Sequence, residues 1–322
     1  MDAATDSIFF RVFSTLSLII FVVIATGISK PNQYASTALY EGEDFFTERP
    51  DLTGPDIAAV SELSEGDIDI EAVSAYVVEM NSNRVIFEKN SSVPLPLASL
   101  TKVMMAYSAS KLLADSTEVV VTSEHLLAPG DSGLHANERW SFSDLRNFTL
   151  ITSSNDGARA LAERYAQNFQ GAGIISLVDS MNSDAHSLGL TTMHFLNTTG
   201  LDSNELINGG YSSAADMAKL FGEIYRRNPE ILEITSRQFT RFKSIDGIIH
   251  DVTNTNEITS RIPSLIASKT GYTVVAGGNL AVIFDVGVAN PVVAVVLGSS
   301  FEGRFRDMEK IINEIFQRQA VD

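Results

Sequence analysis

Strand-like segments lie at the two ends of this chain and helical segments lie between them, and that order restricts the folds open to it. Near the start, AYVVEM and RVIFEK flank an Asn81-Ser82-Asn83 turn, two β-prone runs joined as a hairpin. Residues 91–97 read as a loop with two prolines, and from Ser99 onward apolar residues recur at helical spacing through Val103, Tyr107 and Leu112. Ser143-Asp144 precedes another helical stretch, Asn155-Asp156-Gly157 leads into ARALAERYAQNF, and residues 216–227 continue the pattern. Strand-like runs return at 265–269, 279–284 and 292–297. Residues 304–319 form an amphipathic helix with Met308, Ile311, Ile312 and Ile315 on one side. The expected fold is one α/β domain whose antiparallel sheet recruits strands from both ends of the chain, with an inserted helical lobe. A cleft between sheet and lobe is the natural site.

The remaining sequence divides in order. Residues 1–11 are a short N-terminal segment, and residues 12–29, VFSTLSLIIFVVIATGIS, carry no charge. That run is close to the roughly 20 residues needed to cross a bilayer. Two readings fit it: a signal peptide cleaved near Ala25-Thr26-Gly27, or an uncleaved anchor. Arg11 and Lys30 flank it one on each side, so charge does not choose the orientation. Residues 30–71, with Glu41, Glu43, Asp44, Asp51, Pro50 and Pro55, read as an acidic tether. Its patches at Phe45-Phe46 and 57–60 are suited to dock on the domain, which spans 72–320. A net charge of −17, from 40 acidic and 23 basic side chains, argues against a nucleic-acid partner. With no cysteine, structural disulfides and thiol catalysis are excluded.

Three short motifs carry chemistry. Ser99-Leu100-Thr101-Lys102 at a helix start puts a hydroxyl and an amine on one face, and the helix N-terminus adds backbone N–H groups for a developing oxyanion. Serine becomes a nucleophile only when a base takes its proton, and lysine serves only if burial or nearby cations lower its pKa. A second match, Ser108-Ala109-Ser110-Lys111, falls further along the same helix, where the hydroxyl is expected to bond back to the preceding turn. Ser153-Ser154-Asn155 has two readings: an ordinary helix cap, or a hydroxyl and an amide set beside the first pair. Ser180-Met181-Asn182 repeats its spacing. Lys269-Thr270-Gly271 ends an apolar run, either as a strand turning or as an edge strand that holds a carboxylate while glycine lets a ligand approach.

With these motifs in this order the sequence resembles the low-molecular-mass penicillin-binding proteins, the D-alanyl-D-alanine carboxypeptidase and endopeptidase family of serine peptidases. The resemblance extends from about residue 75 to 319 through PLASLTKVMMAY, LITSSNDGARALAE, MNSDAHSLGLTTMHFLNTTGLD, YSSAADMAKL, NTNEI and SKTGYTVVAGGNLAV. It implies the penicillin-binding/β-lactamase-like transpeptidase fold, with an antiparallel sheet flanked by helices and an inserted helical lobe. By position, Ser99 is the residue that substrate acylates and Lys102 its base. Ser153 and Asn155 relay protons and orient the substrate amide, and Lys269 and Thr270 recognise the terminal carboxylate. Gly271 keeps the strand approachable, and the N–H groups of Ser99 and Tyr272 form the oxyanion hole. The implied partners are peptidoglycan stem peptides, β-lactams as inhibitors, and a membrane met through residues 12–29 by a domain outside the cytoplasm. No cofactor and no metal are implied.

Some features depart from the family pattern. Ser154 stands where members usually carry glycine, and Asn197-Thr198-Thr199-Gly200 where they often have Asn-Pro-x-Gly. Many members continue after the last helix into a β-rich domain and a C-terminal anchor, for which the N-terminal segment is the expected substitute; short members are often endopeptidases, so both activities stay open. A β-lactamase-type hydrolase needs a carboxylate to activate the deacylating water, and no acidic residue stands in a matching motif. A non-catalytic cell-wall peptide-binding module is the alternative from another class. The histidines at 125, 135, 186, 194 and 250 contain no HExxH, which argues against a metallopeptidase. Trp140 is expected in the core beneath Phe142, and Arg304 and Arg306 in surface pairs with Asp307 or Glu309.

Overall fold

The strand-like runs at the two ends of the chain meet in one sheet. The structure, a computed structural model, describes residues 62–64, 68–169, 176–287 and 289–319. Segments 1–11 and 12–29, most of the 30–71 tether and its patches at 45–46 and 57–60 lie outside the described residues. In chain order the elements are β1 (Ser74–Glu79), β2 (Val85–Lys89), β3 (Leu95–Pro96), α1 (Thr101–Ser110), β4 (Glu118–Val121), β5 (Glu138–Ser141), α2 (Phe142–Thr152), α3 (Asn155–Ala166) and α4 (Leu177–Ser187). There follow β6 (His194–Phe195), β7 (Gly210–Ser212), α5 (Ala214–Arg227), β8 (Phe239–Lys243), β9 (Ile249–Thr253), β10 (Leu265–Thr273), β11 (Gly277–Asp285), β12 (Pro291–Ser299) and α6 (Gly303–Gln319).

The main sheet is antiparallel in the order β10-β11-β12-β1-β2, so the N-terminal hairpin joins the C-terminal strands through β1 and β12, with Ser74 opposite Leu297. Its central strand explains the layers. PVVAVVLGS is apolar at nearly every position, and a strand of that kind has to be covered on both faces. Val292, Ala294 and Val296 share a core with Met308, Ile311, Ile312 and Ile315 of α6. Val293, Val295 and Leu297 belong to the other core, with Met217, Leu220, Phe221 and Ile224 of α5 and with the helical lobe. In the lobe, α1 is buried at every position from Thr101 to Ala109, so anything polar on it is placed in the interior.

Helix starts follow their caps. Ser141 caps α2 by accepting from the Asp144 N–H at 3.1 Å, two residues before the Ser143 expected from sequence. Ser213 caps α5 through the Asp216 N–H at 3.1 Å. The helix expected to reach Leu112 ends at Ser110. Trp140 is fully buried, as expected, but against Phe148, Phe242 and His250.

The largest revision concerns the end of the tether. Leu63, Ile68 and Ile70 are buried in the α6 core, and the Leu63 N–H donates to the Ile86 carbonyl at 2.7 Å. Asp307, itself buried, accepts from the Glu71 and Ala72 N–H groups at 2.9 Å each and from Ser299 Oγ at 2.7 Å. Residues 62–64 and 68–71 therefore pack as part of the domain. Their alternating apolar positions are too short a run to stand out among acidic neighbours.

Candidate active site

Ser99 lies in one turn of 3-10 helix, Ala98–Leu100, that runs directly into α1. Its neighbours Leu97, Ala98 and Leu100 are wholly buried, and the Leu97 N–H is fixed to the Gly210 carbonyl at 2.8 Å. Ala98 has φ of +49°, a left-handed conformation that costs a residue with a side chain roughly 1–2 kcal/mol. Packing on both sides holds that strained turn and leaves Ser99 half-buried at the cleft.

One turn on, Lys102 is completely buried. Its Nζ lies 2.8 Å from Ser99 Oγ, 2.8 Å from Asn155 Oδ1 and 2.6 Å from the Thr199 carbonyl. Among the described residues it has no ion pair, and burial pushes its pKa down to about 7. A neutral Lys102 has two N–H groups, which the amide and carbonyl oxygens take, and a lone pair, which faces the Ser99 hydroxyl. No residue signature in the sequence marks the Thr199 carbonyl. Asn197 aims it: its Oδ1 accepts from the N–H groups of Thr199 at 3.1 Å and Gly200 at 2.7 Å. Gly200, at φ +78°, is required there, since a Cβ would stand 1.8 Å from the Ala98 carbonyl oxygen.

Both readings of Ser153-Ser154-Asn155 hold, for different residues. Ser154 caps α3, accepting from the Gly157 N–H at 2.9 Å. That leaves Ser153 and Asn155 for the cleft. Ser153 ends α2 in a left-handed conformation, φ +61°, and its Oγ accepts from Lys269 Nζ at 2.9 Å. Asn155 bridges, with Oδ1 on Lys102 and Nδ2 on the Pro129 carbonyl at 2.7 Å.

The third motif lies on β10, an edge strand. Lys269 is buried, and burial, then the positive charges of Lys102 and Arg304, hold its pKa well below the usual lysine range. Thr270 Oγ1 is 2.6 Å from Thr255 Oγ1. At Gly271 the strand presses against the nucleophile's turn. A Cβ there would lie 2.7 Å from the Leu97 carbonyl oxygen and 3.2 Å from the Ser99 nitrogen. Tyr272 follows, its ring edge-on to Phe301 with centroids 4.9 Å apart.

Arg304 corrects a sequence expectation. Far from pairing at the surface, it is buried with Nη1 on the Gly271 carbonyl at 2.9 Å and its guanidinium over Phe301, 4.3 Å from the ring centroid. The signal was present: residues 304, 308, 311 and 315 fall on one helical stripe, so Arg304 belongs to the apolar side of α6. Arg306 pairs with Glu71 at 2.7 Å and Glu309 with Arg261 at 2.8 Å.

The repeated motifs do not converge. Ser108 is buried mid-helix and, among the described residues, makes neither the expected back-bond nor another hydrogen bond, and Lys111 pairs with Asp184 at 2.6 Å. Ser180 bonds Tyr165, and Asn182 bonds the Phe195 backbone. Two histidines are held by carboxylates, His125 by Glu163 at 2.8 Å and His250 by Glu138 at 2.6 Å. The cleft thus gathers a hydroxyl, two buried lysine amines of lowered pKa and the Arg304 guanidinium along a strand edge, an arrangement suited to acyl transfer.

Known proteins fall on the same pattern. The D-alanyl-D-alanine carboxypeptidase family, peptidase S11, matches residues 59–300. D-alanyl-D-alanine carboxypeptidase DacF of Bacillus subtilis is 31% identical over 209 residues, 63% of this chain and 51% of that protein, so the chain spans about half of this relative's length. A D-alanyl-D-alanine endopeptidase of Escherichia coli is 27% identical over 72% of this chain and 73% of its own. The solved structure of penicillin-binding protein D2 from Listeria monocytogenes, in its cefotaxime-bound form, superposes with a TM-score of 0.66 at 26% identity, covering 77% of this chain and 98% of that one. The fold is therefore that of the penicillin-binding D,D-peptidases, and this chain belongs to the D-alanyl-D-alanine carboxypeptidase family of serine peptidases.

Proposed function

We propose that this chain is a serine D,D-peptidase that cleaves peptidoglycan stem peptides after the penultimate D-alanine, through an acyl-enzyme on Ser99. The observation that carries the reading is the fully buried Lys102, its pKa near 7, with Nζ 2.8 Å from Ser99 Oγ. In the first step the Ser99 proton passes to Lys102 Nζ as Oγ bonds the peptide carbonyl carbon. The carbonyl oxygen takes the negative charge, facing the N–H groups of Ser99 and Tyr272. Collapse breaks the C–N bond, and the proton passes to the leaving amine by way of Ser153. Water, deprotonated in turn by Lys102, then attacks the ester carbonyl, and as the C–O bond breaks Lys102 returns the proton to Ser99 Oγ. Asn155 orients the substrate amide, while Lys269 and Thr270, with Arg304 close behind, hold the terminal carboxylate. The leaving group is D-alanine in a carboxypeptidase and a cross-linked strand in an endopeptidase. The resemblance to relatives of both kinds supports the pair rather than one of them.

β-Lactams fit the same reading as acylating inhibitors of Ser99. The substrate lies outside the cytoplasm, so we also propose that the catalytic domain does, with residues 12–29 as its anchor or as a signal cleaved before release. Among the described residues no helix is long and apolar enough to cross a membrane, and residues 12–29 are not among them.

The test is labelling with a fluorescent penicillin and location of the modified peptide by mass spectrometry. Label on Ser99, lost in Ser99→Ala and kept in Ser108→Ala, is the expected result. A folded protein that takes no label but binds wall peptides would instead be a non-catalytic binding module. Rapid turnover of nitrocefin in place of stoichiometric trapping would indicate a β-lactamase-type hydrolase.

A further inference from the structure

Asp156 is a buried carboxylate that takes no part in the acylation described above. It follows Asn155 in the first turn of α3, where the helix dipole favours an acid but requires neither its burial nor a partner. It is nonetheless only 2% exposed, its Oδ1 accepts no hydrogen bond among the described residues, and burial, ahead of every other cause, raises its pKa. Keeping a carboxylate where its charged form is disfavoured costs stability, so the bond it makes is informative. Ser132 Oγ donates to Asp156 Oδ2 at 2.9 Å. Ser132 accepts in turn from Ser154 Oγ at 2.8 Å, and Ser154 from the Gly157 N–H at 2.9 Å, so each proton in this chain points toward the carboxylate.

Ser132 belongs to the loop between the short helix His125–Leu127 and β5. Pro129, Gly130, Asp131 and Gly133 are exposed there and Ser132 is half-buried, so its side chain is the one that ties the stretch inward. Three residues before it, the Pro129 carbonyl accepts from Asn155 Nδ2 at 2.7 Å. That bond decides which end of the amide faces Lys102. A carbonyl on one side can be met only by the amide nitrogen, which leaves the oxygen for Lys102 Nζ at 2.8 Å. We propose that Asp156 is a positioning residue: through Ser132 it holds residues 129–133 against α3, so that the Pro129 carbonyl keeps the Asn155 oxygen on Lys102. The inference rests on the peptidase reading above and deepens it.

The test is the pH profile of Ser99 labelling by a fluorescent penicillin, in the full-length protein and below the Tm of each variant. An ammonium gains more from the Asn155 oxygen than a neutral amine does, so losing that oxygen lowers the pH at which Lys102 gives up its proton. Ser132→Ala and Asp156→Ala are each expected to slow labelling on the high-pH plateau about tenfold and to move the midpoint down by roughly half to one pH unit. The two together should do no more than either alone, since they break one connection. Asp156→Asn keeps an oxygen for Ser132 and puts its nitrogen where Oδ1 has no partner, so it should label within about threefold of the unaltered protein at the same midpoint. If Asp156→Asn moves the midpoint as far as Asp156→Ala, the charge acts and not the bond. If Ser132→Ala keeps both rate and midpoint, other contacts hold the loop. Either result overturns the proposal and leaves the peptidase intact. Ser132 lies in a surface loop, so its variant decides the matter even where Asp156→Ala fails to accumulate. If the unaltered folded protein takes no label at all, the peptidase reading fails and the proposal falls with it.

Discussion

Lys102 bears a cost that its site turns to use. Burial lowers its pKa from the ordinary lysine value of 10.5 to about 7, so at neutral pH much of it is already the free amine a base must be. Because the neutral form does the work, acylation of Ser99 by a fluorescent penicillin should rise with pH through a midpoint near 7 and level off above it. Lys102→Met should slow labelling by about 10²- to 10⁴-fold. Stability carries the same sign. The folded pKa lies below the unfolded one, so between about pH 7 and 10.5 the unfolded chain binds more protons, and stability gains from this group as pH rises across that window. Relative to Lys102→Met, the unaltered protein should therefore gain up to about 1.4 kcal/mol per pH unit there, read as denaturation midpoints at matched pH. Gly271 makes a complementary prediction. A methyl at this position meets the Leu97 carbonyl oxygen at 2.7 Å, which pushes strand and nucleophile apart. Gly271→Ala should cost about 10²-fold in acylation rate with a fold that still melts cooperatively, since a misplacement near 1 Å is enough.

At the scale of elements, the junction of α2 and α3 shows how one tripeptide serves both structure and site. Ser154 holds the helix start and the residues on either side face the lysines, so the two functions separate by mutation. Ser154→Ala should lower stability by about 1 kcal/mol, a shift of roughly 2–4 °C in Tm, and leave Ser99 labelling within a few-fold. Ser153→Ala should do the reverse. The sequence showed that a cap and a site competed for this motif, but capping depends on which residue adopts extended backbone, and Ser154 and Ser153 differ there only by context. The same limit hid the Thr199 carbonyl. A backbone acceptor has no residue signature, and Asn197-x-x-Gly200 betrayed it only as an irregular turn. Arg304, by contrast, is legible in the sequence, because its helical phase places it on the buried stripe with Met308, Ile311 and Ile315.

The whole molecule is legible where periodicity is long and obscure where order depends on distant partners. The apolar β12 and the stripe on α6 announce a sheet covered on both faces, and the helices between them announce the lobe. The packing of residues 62–64 and 68–72 cannot be read that way, because Asp307, which accepts from the Glu71 and Ala72 N–H groups, is more than two hundred residues away and comes into place only when α6 packs on the sheet. Leu63, Ile68 and Ile70 bury apolar surface that contributes roughly 1.5–3 kcal/mol for each side chain. Removing residues 1–72 also leaves Asp307 buried with a single donor, Ser299 Oγ, of the three it now has. An unsatisfied buried carboxylate adds at least about 1–3 kcal/mol to the loss. A marginally stable domain with some 5–15 kcal/mol in all does not survive both losses comfortably. A chain beginning at residue 62 should thus melt within a few degrees of the full-length protein, whereas one beginning at Val73 should lose more than 10 °C in Tm or fail to accumulate in soluble form. Asp307→Asn in the longer chain separates the two contributions: it retains the apolar packing and weakens the acceptors, so its loss should fall between those of the two chains. If the Val73 chain melts where the full-length protein does, the packing of residues 62–64 and 68–71 contributes nothing to stability and the tether runs to residue 71.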